Sequence, residues 1–243
     1  MTPLMNRYAH PTHFMRVSGI ALPWLAAASV IALVVALYVA LFVAPEDYLQ
    51  GQTVRIMFLH VPAAWLALGG YVAIAIASVT GWIWKRPLAD VAARAIAPTG
   101  ACFTLIVLLT GSLWGKPMWG TWWVWDARLT SVAILLLLYL GYIALWNAIE
   151  EPSLAARAAG ALALIGVVNV PVIHFSVSWW NTLHQPASVL RLDGPTIHPA
   201  LLVPLLLMFA ALSLLMVTIT LARMRLEILR RRTRMLRLRS AQA

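Results

Sequence analysis

The sequence predicts an all-α integral membrane protein: one bundle of six transmembrane helices with short loops and both termini cytoplasmic, a single membrane domain over residues 1–243. Three observations predict it. The chain is 62% hydrophobic and only 11% charged, with a mean hydropathy of +0.84, whereas soluble domains average about 25% charged residues. Six apolar runs stand out, roughly Ile20–Ala44, Val61–Trp84, Ala95–Trp114, Leu129–Ala148, Ala158–Ser178 and Pro199–Ala222. Each is long enough to cross a hydrocarbon core, for which about 20 residues suffice. Finally, fourteen of the eighteen basic residues fall on one side of the alternating topology and four on the other, which marks the fourteen-residue side as cytoplasmic.

The elements follow in order. Arg7 and Arg16 precede the first run, which from Leu22 to Ala44 exceeds a signal-peptide core and reads as a retained span. The first outer loop is Pro45 to His60, and Pro62 is expected to open span two, since proline suits a first helical turn. Lys85, Arg86 and Arg94 mark the inner loop before span three, and Arg157 the one before span five. The second outer loop is Gly115 to Arg128 and the third Trp179 to His198. The Arg-rich tail, 223–243, carries eight basic residues and is expected to lie on the anionic inner leaflet rather than on nucleic acid. Cys102 is alone in an apolar run, which excludes an intramolecular disulfide and a cysteine metal cage. No GxxxxGK[ST] or HExxH is present, so the chain carries neither a Walker ATP site nor a zincin site.

Five of the twelve tryptophans, Trp114, Trp119, Trp122, Trp123 and Trp125, crowd into LWGKPMWGTWWVWDAR. Interfacial belts explain Trp24, Trp65, Trp82, Trp84 and Trp146, because belts spread aromatics over many helix ends. Five in one loop instead form a flat aromatic surface at a membrane boundary, suited to a large planar ligand or a lipid headgroup layer. His60, His184 and His198 share the outer face with it, and His174 lies deeper, in span five. Neutral imidazole is a good iron ligand, and two on facing elements make an axial pair for haem. His60 and His184 flank the tryptophans, with His198 open as a replacement for either. Arg55 and Arg128 are candidates for haem propionates through bidentate pairing, with Lys116 and Arg191 weaker. Asp126 is placed to pair with Arg128 or Lys116, or to cap the helix starting near Leu129.

At WGTWWVWDARLTS the chain resembles the WWD family of haem-handling membrane proteins, and its six spans resemble the haem exporter protein C family of the system I cytochrome c maturation pathway. MFLHVPAAW and SVSWWNTLHQPAS look like that family's two histidine regions, and the resemblance runs over roughly residues 15 to 225. It implies a protein of the bacterial inner membrane that binds haem b transiently at its periplasmic face. His60 and His184 would be axial ligands, and Trp119, Trp122, Trp123, Trp125 and Asp126 the platform. It further implies handover to a periplasmic haem chaperone, the E component, beside a small single-span D component and an ABC-type pair, A and B. No catalysis by this chain is implied. The alternative is a small transporter moving a solute or haem across the bilayer, which predicts polar midplane residues and broken helices. A redox enzyme would need a deep haem, for which only His174 is available.

Overall fold

The computed structural model describes residues 10–185, 188–189 and 191–241, so the orientation argument from Arg7 falls outside the described residues. The described residues form helices without a strand, and six helical segments are long and apolar enough to cross a membrane. Helix α1 is Pro11–Tyr38, prolonged by a π-helical turn Val39–Val43. Helix α2 is Arg55–Trp84, α3 Pro87–Trp119 and α4 Ala127–Ala148. The fifth span is split into α5, Pro152–Gly166, and α6, Asn169–Trp179; the last helix, α7, is Pro199–Ser240.

The helices outrun the apolar windows, because polar flanks continue a helix as readily as apolar ones when no breaker intervenes. Pro62 therefore does not open span two: α2 starts at Arg55 and Pro62 lies inside it, putting His60 on the second helical turn. Likewise Gly115–Trp119 of the expected second loop are helical, and the connection shortens to Gly120–Asp126. The fifth span, expected as one helix, breaks after Gly166. Pro171 accounts for the break: a proline ring clashes with the carbonyl four residues earlier, here Val167, and offers that carbonyl no N–H. The Asn169 amide donates to the Ser131 carbonyl of α4 (2.8 Å) and ties the broken point to its neighbour.

The Arg-rich tail is helical too. It continues α7 without interruption, so the 42-residue helix runs about 63 Å, twice the depth of a hydrocarbon core of about 30 Å. Its first turns are packed, with Met224 and Ile228 buried against Val91 and Ala95 of α3. The start of the tail thus extends the helical bundle.

The core sits where α2, α3, α4 and α5 meet. Tyr71 and Tyr139 are fully buried and pack edge to face at 5.0 Å. Tyr139 donates to the Ala67 carbonyl (2.7 Å) and Tyr71 to that of Leu162 (3.3 Å), so neither hydroxyl is stranded. Glycines admit these rings: a Cβ on Gly100 would stand 2.4 Å from the Tyr139 ring. Helix α1 is more peripheral, mostly exposed, and joined to α7 by the Ser29–Thr218 hydroxyl pair (2.8 Å). The N-termini of α2 and α4 and the C-termini of α3 and α6 gather at one end of the bundle, where the tryptophan connection lies.

Candidate haem-binding site at the tryptophan end

Histidine geometry organises this end. His60, on the second turn of α2, faces α3, where Gly111 leaves space for it; a Cβ there would lie 3.1 Å from the ring's Cε1. The His60 Nδ1 is 2.9 Å from Thr110 Oγ1. Thr110 spends its one proton on the Ile106 carbonyl (2.6 Å), so its oxygen is the acceptor and Nδ1 carries the hydrogen. The tautomer follows: Nε2 of His60 keeps a free lone pair. Trp114 packs edge-on to the same imidazole at 5.7 Å, and its own N–H is held by Gln50 Oε1 (3.0 Å).

His184 reaches the same state by another route. Its Nδ1 is 3.3 Å from Asp126 Oδ2, and a carboxylate only accepts, so Nδ1–H donates and Nε2 is again free. Asp126 Oδ1 meanwhile accepts from the Leu129 N–H (2.7 Å), capping α4. One carboxylate thus starts the helix and aims the imidazole, an arrangement that fixes tautomer and orientation in histidine metal ligands. The expected helix cap is present, and the other oxygen goes to His184, with neither Arg128 nor Lys116 paired to it. Burial pushes the His184 imidazole below its ordinary value, against the opposing pull of Asp126. His60 and His184 lie within electrostatic range of each other and of Arg128.

The tryptophans divide by task. Trp119 closes α3 and packs edge-on to His184 at 4.9 Å, while Gly120, at φ +76°, turns the chain out of the helix. A left-handed residue there suits glycine, which has no Cβ to clash. Trp123 and Trp125 meet edge to face at 5.2 Å. Trp122 and Trp125 are 55% and 77% exposed, so both present open ring faces. The Lys116 ammonium lies 6.0 Å over the Trp122 ring and is bonded to the Gly120 carbonyl.

Two buried donors at this end have no acceptor: Arg55 Nε and Trp123 Nε1. Buried N–H groups are nearly always paired, so both fit a site whose ligand brings oxygens. Arg128 is turned toward α6, its Nε on Ser176 Oγ (3.1 Å) and its Nη2 on the Ile173 and His174 carbonyls (3.5 and 3.4 Å). Two of its three nitrogens therefore brace the split helix. His198 is not brought into the site: it caps α7, accepting from the Ala200 N–H (3.2 Å). The His174 ring is exposed on α6 against Phe175. Arg191 is exposed in the third loop. Thr110 and Gly111 were missed by the sequence reading, because a hydroxyl and a glycine within an apolar run carry no local sign of the histidine fifty positions away that they serve.

The family model described as Heme exporter protein C matches residues 4–239. Relatives named Heme exporter protein C include one from Bradyrhizobium diazoefficiens, 58% identical over 86% of this chain and 80% of its own length. Another, from Escherichia coli strain K12, is 51% identical over 84% of this chain and 82% of its own. A Marchantia polymorpha protein, named a putative cytochrome c biosynthesis ccmC-like mitochondrial protein, is 49% identical over 69% of this chain and 71% of its own.

Proposed function

Because the chain belongs to the Heme exporter protein C family, we propose that it binds haem b at the periplasmic face of the bacterial inner membrane and passes it on for c-type cytochrome maturation. The observation that carries this reading is the pair of imidazoles, His60 and His184, each bound through Nδ1 and leaving Nε2 free beside Trp114 and Trp119. A porphyrin fills four positions of six-coordinate iron, and two imidazoles supply the remaining axial pair. Trp119, Trp122, Trp123 and Trp125 with Asp126 form the platform, and the unpaired Arg55 Nε faces a propionate, with Arg128 as the second cation.

Haem is cargo here, and the chain performs no covalent step of its own. The exposed rings of Trp122 and Trp125 leave one side of the platform open to a periplasmic haem chaperone, the E component. A single-span D component and an ABC-type A and B pair complete the assembly, with ATP hydrolysis outside this chain. The whole chain acts as one membrane domain with both termini cytoplasmic.

The test is the absorption spectrum of the purified protein supplied with haem, wild type beside His60→Ala and His184→Ala. A bis-imidazole spectrum lost or altered in both variants supports the site; an unchanged spectrum in both overturns the ligand assignment. Alanine at Trp122, Trp123 or Asp126 is expected to impair chaperone loading, and normal loading by all three would refute the docking surface.

The transporter reading rests on one observation, the helix break between α5 and α6. That break is closed by Asn169 on the Ser131 carbonyl, and its neighbours hold Arg128, so it serves the haem end.

A further inference from the structure

The opposite end of the bundle holds a second polar feature that the haem reading does not use. A cavity of about 140 Å³ opens between α3, α4 and α7, lined by Arg94, Tyr142, Trp146, Arg223, Glu227 and Arg230 among others. Glu227 is buried and its Oε1 accepts from both Arg94 and Arg231, each at 2.8 Å. Both guanidiniums flank the Trp146 ring, at 4.9 and 5.9 Å from its centroid. Two carboxylates bear on this cluster, Glu227 and, at longer range, Asp90. Four guanidiniums face them: Arg94, Arg223, Arg230 and Arg231. The cations outnumber the acids, and the excess is concentrated. Arg231 Nη2 is buried without an acceptor, while Arg223 and Arg230 stand exposed at the rim.

Positive charge in excess around a partly enclosed cavity calls for an anion with several acceptor oxygens, and guanidinium forks match phosphate. The position selects the source. The cavity lies where the last helix passes from its apolar run into its arginine-rich one, the point at which a span of about 20 apolar residues ends and headgroups begin. Basic pockets between helices at that level recognise anionic headgroups. We propose that this cavity binds the phosphate of an anionic phospholipid, with Arg223 and Arg230 gripping it at the rim and the Glu227-braced Arg94 behind. The lipid fills the seam between α3, α4 and the start of the tail.

The test uses the full chain in detergent and native mass spectrometry with added phosphatidylglycerol, phosphatidylcholine or inorganic phosphate. Arg223→Gln/Arg230→Gln removes the rim cations, which have no ion-pair or hydrogen-bond partner among the described residues. Arg232→Gln/Arg239→Gln removes the same charge away from the cavity. Wild type should retain phosphatidylglycerol over phosphatidylcholine. The rim variant should retain it about 25-fold more weakly, as two headgroup-level arginines are worth about fivefold each, and the control variant should match wild type. Inorganic phosphate that binds wild type and displaces no lipid would keep the phosphate site and overturn its lipid source. Equal loss in both double variants, or no lipid preference and no phosphate binding, would overturn the proposal.

Discussion

Thr110 shows how a residue on the far side of an imidazole decides what its near side can do. By accepting from His60 Nδ1 while donating to Ile106, it leaves Nε2 as the nitrogen with a free lone pair. Thr110→Val keeps the shape and removes the acceptor, leaving the His60 ring only the Val107 backbone to bond, at a cost of about 1 kcal/mol. The expected result is haem affinity lower by about 10-fold or more with an altered bis-imidazole spectrum, and Thr110→Ser should restore both. A haem titration followed by absorbance decides it; unchanged affinity in the valine variant would show the hydroxyl to be incidental. His184 carries a pH prediction. Its folded pKa lies below the ordinary 6.5, so its favourable neutral state persists above 6.5 and is lost only as pH falls through the lowered value. Haem affinity should therefore fall less between pH about 7.5 and about 6.5 than it would for a free imidazole, which is already about half protonated at the acid end. Titrations across that range that showed about a twofold loss at the acid end would contradict it. At this scale the chemistry-bearing residues were legible, since histidines and clustered tryptophans are rare types in an apolar chain. Their partners were not: Asp126 meets His184 across fifty-eight positions of sequence, and nothing local distinguishes that pairing from one with Arg128.

Helix existence was legible from apolar run length alone, because a spanning segment has no other way to satisfy its backbone. Helix ends were not, since hydropathy reports the lipid boundary and the hydrogen-bond ladder continues past it. Span five is the instructive exception. Pro171 was visible in the sequence, but whether a proline kinks a helix or divides it depends on what satisfies the freed groups, here Asn169 reaching Ser131 on α4. The division shortens α6 and turns its Ile173 and His174 carbonyls toward Arg128, linking a break in one element to the floor of the site in another. Packing between elements is set by small residues against large rings. Gly70 and Gly100 approach Tyr139 so closely that a methyl group on either would stand inside van der Waals contact, 2.9 Å from the hydroxyl and 2.4 Å from the ring. Gly100→Ala should therefore overpack the α3–α4 seam and destabilise the protein by about 1–3 kcal/mol. Thermal unfolding in detergent would show the lowered midpoint, and a midpoint equal to wild type would mean that Tyr139 moves aside freely. Helix propensity favours alanine over glycine by about 1 kcal/mol, which makes the sign a fair test of packing against propensity.

For the whole molecule, charge and chemistry are segregated along the bundle: histidines and tryptophans converge at one end, and the arginine tail extends from the other. That polarity gives the site a side of the membrane. The four basic residues of the tryptophan end against thirteen described ones of the opposite end follow the rule by which Lys and Arg stay cytoplasmic during insertion, so the tryptophan end should face the periplasm. Leu192, fully exposed in the loop before α7, and Arg239, near the end of the tail, report on the two sides. The native Cys102 is exposed on the surface of α3 and must first be replaced, as Cys102→Ala, for a single added thiol to be read cleanly. In that background Leu192→Cys should react with a membrane-impermeant maleimide in intact spheroplasts, while Arg239→Cys should react only after the membrane is opened. The reverse pattern would put the imidazole pair on the cytoplasmic side, where a periplasmic chaperone has no access. Handover would then require haem to cross the bilayer after binding, which the buried Tyr71–Tyr139 core between the helices gives it no room to do. Membrane sidedness, set by the charge bias of the whole chain, thus decides whether two well-aimed histidines can reach a periplasmic partner at all.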